Sequence, residues 1–336
     1  MPKTTKPARI ALTPRDIEIL WSLHQARYLT VELIEWLHFP QWRDRYRQWQ
    51  QAKEAGATKR YMPVAQAYHC LRRLEQAKFV RRIVRPAMLA VDYYQREPDL
   101  FFLTEKGAEV VAAARGIEVE QLHYGEPRQR SYLMLQHHVA VGRVYAALRS
   151  KIESKPGLHF WEWRSEHHAS KDFDRVTMRV PQADGTQRTE ETGIQPDGAF
   201  FIEYEGGRTL FFVEVERDQP LKKWREKVYA YEAYHNSAPV RARYTSHTFV
   251  LLGLAMDAMH QRRLLEATGE AVAGLYEDPA RRAVAQERYL IGHMGHAHPT
   301  RIGVGWQKLQ RVEVVERGGA VPLGVKVETA EHVLIR

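Results

Sequence analysis

A single cysteine, Cys70, among 336 residues excludes an internal disulfide and a thiolate zinc cluster. No apolar run approaches the ~20 residues of a membrane-spanning helix, LFFVEV being among the longest, so no membrane is expected as a partner. The opening MPKTTKPARIALTPRD is basic but has no apolar stretch of the signal-peptide kind, which makes the cytoplasm the expected location. A Walker sequence, a serine-nucleophile motif and an internal repeat are all missing. Gly303-Val304-Gly305 lacks the third glycine and the strand-to-helix setting of a dinucleotide site. What remains is ordinary globular usage, 44% hydrophobic and 27% charged, in a chain long enough for two domains at ~150 residues each.

The charge is unevenly spread. Of the net +9, residues 1–130 carry +7 (22 basic against 15 acidic), leaving +2 for residues 131–336. Lys59, Arg60, Arg72, Arg73, Lys78, Arg81, Arg82 and Arg85 face Glu75 alone between positions 59 and 85. Such a concentration attracts a polyanion, of which nucleic acid is the commonest; the bland alternative is a solvated basic surface.

Thr13-Pro14 followed by Asp16 and Glu18 predicts a capped helix with Ile17, Leu20 and Leu23 at helical spacing. A second helix starts at Thr30. After a polar, Trp- and Arg-rich insertion at 40–62, a third runs from about Val64 to Ala77 with Ala67, Leu71 and Leu74 on one face. FVRRIVRP and LFFLTEKGAEVV then predict two strands joined by a basic loop, the second running into a capped helix. Three helices followed by such strands form a winged helix over 13–115, behind a basic tail at 1–12. Gln66, Arg72 and Arg73 sit off the apolar face of the third helix, where they reach bases or phosphates, and Arg81, Arg82 and Arg85 line the wing. A winged helix used for protein contacts is the alternative. Cys70 reads as a small core residue.

Residues 116–130 read as a linker, and a second domain spans 131–336. It opens with the long helix SYLMLQHHVAVGRVYAALR, then a strand, LHFWEWRSE, and a charged loop up to Gly193. Two apolar strands, Gly198 to Tyr204 and Leu210 to Glu216, flank a Glu-Gly-Gly turn as a hairpin. A helix from Pro220 with the stripe Trp224, Val228, Tyr231, another strand (HTFVLLGLA) and another helix (MDAMHQRRLLEA) complete a β-β-α-β series. From Glu287 onward terminal strands are expected, with no assigned partner. The fold class is therefore α/β (α+β).

Asp197 precedes the first hairpin strand, while Glu214 and Glu216 close the second on one face, because strand side chains alternate. Three converging carboxylates suit a divalent ion, Mg2+ or Mn2+, and repel one another without it. The pattern resembles the PD-(D/E)XK nuclease core. Pro196-Asp197 and Glu214-Val215 fit, but Glu216 occupies the lysine position. Lys227, on the next helix in line with Lys223 and Tyr231, supplies the missing charge in this reading and makes Glu216 a third metal ligand. The alternative is that these carboxylates are solvated or pair with Arg217 and the lysines. The order LTPRDIEIL, LRRLEQAKFVRR, FFLTEKGAE, HHVAVGRVYAAL, QPDGAFF, FFVEVERDQP and KVYAY resembles the replication-relaxation family of plasmid and mobile-element proteins over roughly residues 10 to 255. That resemblance implies an N-terminal winged helix and a role in plasmid replication, DNA relaxation or mobilisation.

Three weaker signals accompany these. His138, or its neighbour His137, is a candidate to face the carboxylates and move a proton. Glu162 and Glu166 are candidates to add a carboxylate. His293, His296 and His298 are dense enough to weigh a transition metal against a flexible loop. The leading expectation is a duplex-DNA-binding factor of a mobile element. Its rivals are a metal-dependent nickase using Asp197, Glu214, Glu216, Lys227 and His138, and a winged-helix transcriptional regulator. Expected partners are double-stranded DNA, the replication or relaxation machinery of the element, and a second copy of the chain as a homodimer.

Overall fold

The computed structural model describes residues 11–59, 61–84, 99–125, 132–166, 173–182, 184–217, 220–237, 242–246, 248–315 and 324–335. Nearly all of the expected basic tail, Arg60, Arg85 and the end of the expected linker lie outside them. The chain forms two compact units, Met1–Ser150 and Lys151–Arg336. The long helix expected to open the second domain thus falls almost wholly in the first unit.

In the first unit, α1 (Pro14–Ala26) starts on a reciprocal cap. Thr13 Oγ1 accepts from the Asp16 N–H at 3.2 Å, and Asp16 Oδ2 accepts from the Thr13 N–H at 2.8 Å. A short β1 (Leu29–Thr30) leads into α2 (Val31–His38), capped by Thr30. The insertion is helical: in α3 (Trp42–Glu54) the Trp42 ring meets Tyr46 edge-on and Tyr46 meets Trp49 at a tilt, so the three lie in sequence on one side. In α4 (Ala65–Gln76), Ala67, Leu71 and Leu74 are buried. Then β2 (Val80–Ile83) pairs antiparallel with β3 (Leu100–Leu103), and β1 flanks β3 in a three-stranded sheet. Thr104 caps α5 (Glu105–Arg115), and α6 (Tyr132–Glu153) returns to the first helices, Tyr145 donating its hydroxyl to Gln25 Oε1 at 2.8 Å.

The second unit is built on a seven-stranded sheet. Its strands are β4 (His159–Ser165), β7 (Gly198–Tyr204), β8 (Gly207–Val215), β9 (Phe249–Ala255), β10 (Tyr289–His293), β11 (Trp306–Val315) and β12 (Gly324–His332), in the order β12-β11-β10-β9-β8-β7-β4. Strands β8, β9 and β10 run parallel, linked by α7 (Leu221–His235) and then by α8 (Ala258–Leu275) with the short α9 (Pro279–Gln286). Parallel neighbours require such crossovers. Trp224, Val228 and Tyr231 of α7 and Leu264 and Leu265 of α8 pack on Phe212, Leu251 and Tyr289 of the sheet.

The stretch expected to be a charged loop is instead an antiparallel hairpin, β5 (Asp174–Pro181) and β6 (Gln187–Ile194). Val176, Met178 and Val180 alternate into the core beside α7, while the charges face outward. The terminal strands find their partners too: β10 joins β9 in parallel, and β11 pairs with β10 and β12.

Candidate functional site

The carboxyl ends of parallel strands, where the backbone leaves the sheet, form the usual crevice for ligands in open α/β sheets. Here that end carries the acidic cluster. Gly198 pairs with Val213, so the register continued by one residue sets Asp197 opposite Glu214. Asp197 Oδ2 accepts the Val215 N–H at 2.7 Å, which fixes it against the end of β8. Likewise Ser165 pairs with Gly198, and the next residue, Glu166, comes beside Asp197. A carboxylate oxygen of one lies within 4.8 Å of one of the other.

Glu214 and Glu216, two apart, meet one cation. Lys227 Nζ donates to Glu214 Oε2 at 2.7 Å and to Glu216 Oε1 at 2.5 Å. One turn on, the Tyr231 hydroxyl donates to Glu214 Oε1 at 2.6 Å. Asp197, Glu214 and Glu216 are all buried. Burial pushes the Glu214 carboxyl up to about 7; Lys227 opposes the shift and the nearby Asp197 adds to it. Burial acts to lower the Lys227 ammonium, but Glu214, Asp197 and Glu216 outweigh it and hold the group above its ordinary value. Burial and the Glu214 charge together keep Tyr231 protonated far beyond neutrality.

A cavity of about 340 Å3 is reached by Glu214 of this cluster and walled by Glu190 and Gln195 on the β6 side and by Lys223, Lys227 and Tyr231 of α7. Three buried carboxylates and one ammonium leave an excess of negative charge among hard oxygen donors. That set is suited to a divalent cation and to no soft metal.

The remaining candidates have these surroundings. Glu162 is exposed and pairs with Arg164 at 3.3 Å. His138 belongs to α6 of the first unit, where its ring lies 5.8 Å from that of Tyr28. His293 and His296 pack with ring centroids 4.0 Å apart where β10 runs into a 3-10 turn, and His298 is tied to Thr300. Among the described residues no third histidine, cysteine or carboxylate completes a metal group there. The sequence placed Tyr231 in an apolar stripe and in line with Lys227 one turn away, without giving its hydroxyl a role; the hydrogen bond to Glu214 supplies one.

In the first unit, α4 exposes Gln66, His69 and Arg72 opposite its buried face. His69 was not singled out from sequence. Arg73, a residue expected to face DNA, is ion-paired to Asp16, a fully buried carboxylate that also accepts from the Cys70 thiol at 3.2 Å. Cys70 is half-buried and burial raises its thiol. Lys78 is exposed in a left-handed turn at φ 63°, and Lys59 is exposed. On β2, Arg81 is exposed, while Arg82 pairs with Glu75 and Asp99, each at 3.1 Å.

The two units define an α+β protein with a helical, basic front portion and a mixed-sheet portion whose strand ends carry a lysine-bridged carboxylate cluster. The chain belongs to the Replication-relaxation family, whose model matches residues 20–248 and so takes in all of α4 and every member of that cluster. Membership points to a role in replication or relaxation of a plasmid or mobile element. No curated protein and no solved structure matches the chain. Among the described residues, no helix is long and apolar enough to cross a membrane.

Proposed function

We propose that this protein binds duplex DNA of a plasmid or mobile element and serves its replication, relaxation or mobilisation, with the first unit acting as a winged helix. The observation that supports this reading is the polar outer face of α4, with Gln66, His69 and Arg72, followed directly by the paired strands β2 and β3. In winged-helix docking such a helix enters the major groove and the strands approach the backbone. Fluorescence anisotropy with a duplex oligonucleotide tests it. Affinity falls steeply with salt as counterions are released, and Arg72→Glu weakens binding without lowering the melting temperature. A wild-type protein that leaves the duplex free at low salt overturns the reading.

A second reading is favoured by Lys227, whose Nζ sits between Glu214 and Glu216. In it the second unit cleaves a phosphodiester in the manner of PD-(D/E)XK nucleases. Burial, with the Asp197 charge added, raises the Glu214 carboxyl, and Mg2+ or Mn2+ held by Asp197, Glu214 and Glu216 would offset that cost of charge. When bound, such an ion neutralises phosphate charge and makes water more acidic. Lys227 returns from α7 the positive charge that Glu216 displaces from the strand, and Tyr231 orients Glu214 through Oε1. Supercoiled plasmid incubated with protein and either metal becomes open circular, and Asp197→Ala abolishes the product. Plasmid that stays supercoiled in both metals removes this reading and leaves DNA binding standing.

A further inference from the structure

A second cavity, of about 380 Å3, opens at the same carboxyl end of the sheet, in the size range of built ligand clefts (~300–1,000 Å3). Arg217, directly after Glu216, enters it from the end of β8. Met256 and Asp257 enter from the end of β9, and Met259, His260 and Arg263 from the first turns of α8. Among the described residues, two cationic side chains and one carboxylate, Asp257, line it. The cations are guanidinium groups, an imidazole also lines it, and two helices, α7 and α8, begin at it with no acidic residue in either first turn. The carboxylate on its wall, Asp257, is engaged in capping, its Oδ1 accepting the His260 N–H at 2.8 Å. Helix N-termini present positive dipole ends and unpaired N–H groups, so they add to the arginines. At the rim, Met259 is 75% exposed and Met256 is also exposed, polarisable and unbranched surfaces suited to a sugar or base edge. Most of these residues lie beyond the segment matched by the family model, which ends at residue 248.

From this convergence we propose that the cavity is a backbone site for a DNA strand, in which Arg217 and Arg263 hold a phosphodiester group one residue beyond the carboxylate cluster. The proposal rests on the reading that the protein handles DNA. It adds a second place, in the second unit, where the strand is held. Arginine suits the task because its planar fork makes two parallel bonds to one phosphate.

The test uses the full chain and labelled duplex and single-stranded oligonucleotides, with affinity followed across salt. Arg217→Glu and Arg263→Glu, singly and together, raise Kd; the double variant raises it at least about tenfold. The salt slope becomes shallower by roughly one for each phosphate that is no longer neutralised. Lys at both positions restores most of the affinity, and an unchanged melting temperature excludes misfolding. Unaltered Kd and slope in the double Glu variant overturn the proposal while leaving DNA binding by α4 intact. A wild type that binds no DNA overturns both readings. A third outcome assigns the cavity to a free anion and also overturns the strand site: inorganic phosphate binds at equal ionic strength and needs Arg217 and Arg263, while oligonucleotide affinity does not.

Discussion

Glu214 has its two oxygens tied to different donors, Lys227 and Tyr231, and still titrates near neutrality because burial dominates. Its native pKa, raised above the unfolded value near 4.5, means that the folded state holds the proton more tightly. Its contribution to stability is therefore greatest below pH 4.5 and is lost as pH rises to about 7, on the order of 3 kcal/mol in all. Glu214→Gln flattens this dependence in urea titrations between pH 5 and 8; an unchanged slope would falsify the assignment. Lys227→Met removes a cation joined to both buried carboxylates and destabilises by about 2–3 kcal/mol at pH 8. That is the low end for a broken buried pair, because the Lys227 side chain is partly exposed. The loss is smaller at pH 5.5, where Glu214 is protonated. The central residues of this cluster were readable from sequence because alternation along one strand and one helical turn determine which side chains meet. Glu166 and Tyr231 were harder to read. The place of Glu166 depends on β4 pairing with a strand more than thirty residues away, and Tyr231 has an apolar ring that hides its hydroxyl in any hydrophobic pattern.

At the level of elements, adjacent arginines on α4 have different tasks. Arg72 is exposed, whereas Arg73 neutralises Asp16, which caps α1 and lies fully buried. Arg73→Ala therefore lowers stability by about 2 kcal/mol, a modest figure for a buried partner because Arg73 itself is 37% exposed. Arg72→Ala leaves stability within about 0.5 kcal/mol and weakens DNA binding. Thermal melts paired with anisotropy separate the two, and equal melting temperatures for both variants would contradict the division. The helices of the first unit were legible through Thr13, Thr30 and the 3.6-residue spacing of leucines. The hairpin β5–β6 was not, because its polar residues dominate the composition; only the period-two placement of Val176, Met178 and Val180 marked it. Helix α3 carried a signal of its own in Trp42, Tyr46 and Trp49, spaced for one helical face inside a segment marked from sequence only as a polar, Trp- and Arg-rich insertion.

At the level of the whole molecule, the two units respond to acid in opposite directions. In the first unit, burial lowers His24 to about 4, helped by His123, and lowers His38 to about 3, helped by Arg149 and Arg15. Both imidazoles fold neutral. The unfolded chain takes up protons below pH 6.5 that the folded unit refuses, so stability is lost as pH falls from 6.5 toward those depressed values. At pH 5 the loss is about 2 kcal/mol for each histidine. The second unit gains from protonation of Glu214 over the same interval. Each unit has its own core, so calorimetry is expected to give two transitions that move apart on acidification, the first falling by roughly 10 °C between pH 7.5 and 5. Arg73→Ala identifies the first transition and Lys227→Met the second. His38→Asn removes part of the acid sensitivity of the first. A first transition whose midpoint stays constant from pH 7.5 to 5 would show that these imidazoles gain protons as readily in the folded unit as in the unfolded chain. Mn2+ added at pH 8 raises the second transition and leaves the first in place, because an ion bound by Asp197, Glu214 and Glu216 stabilises only the unit that contains them.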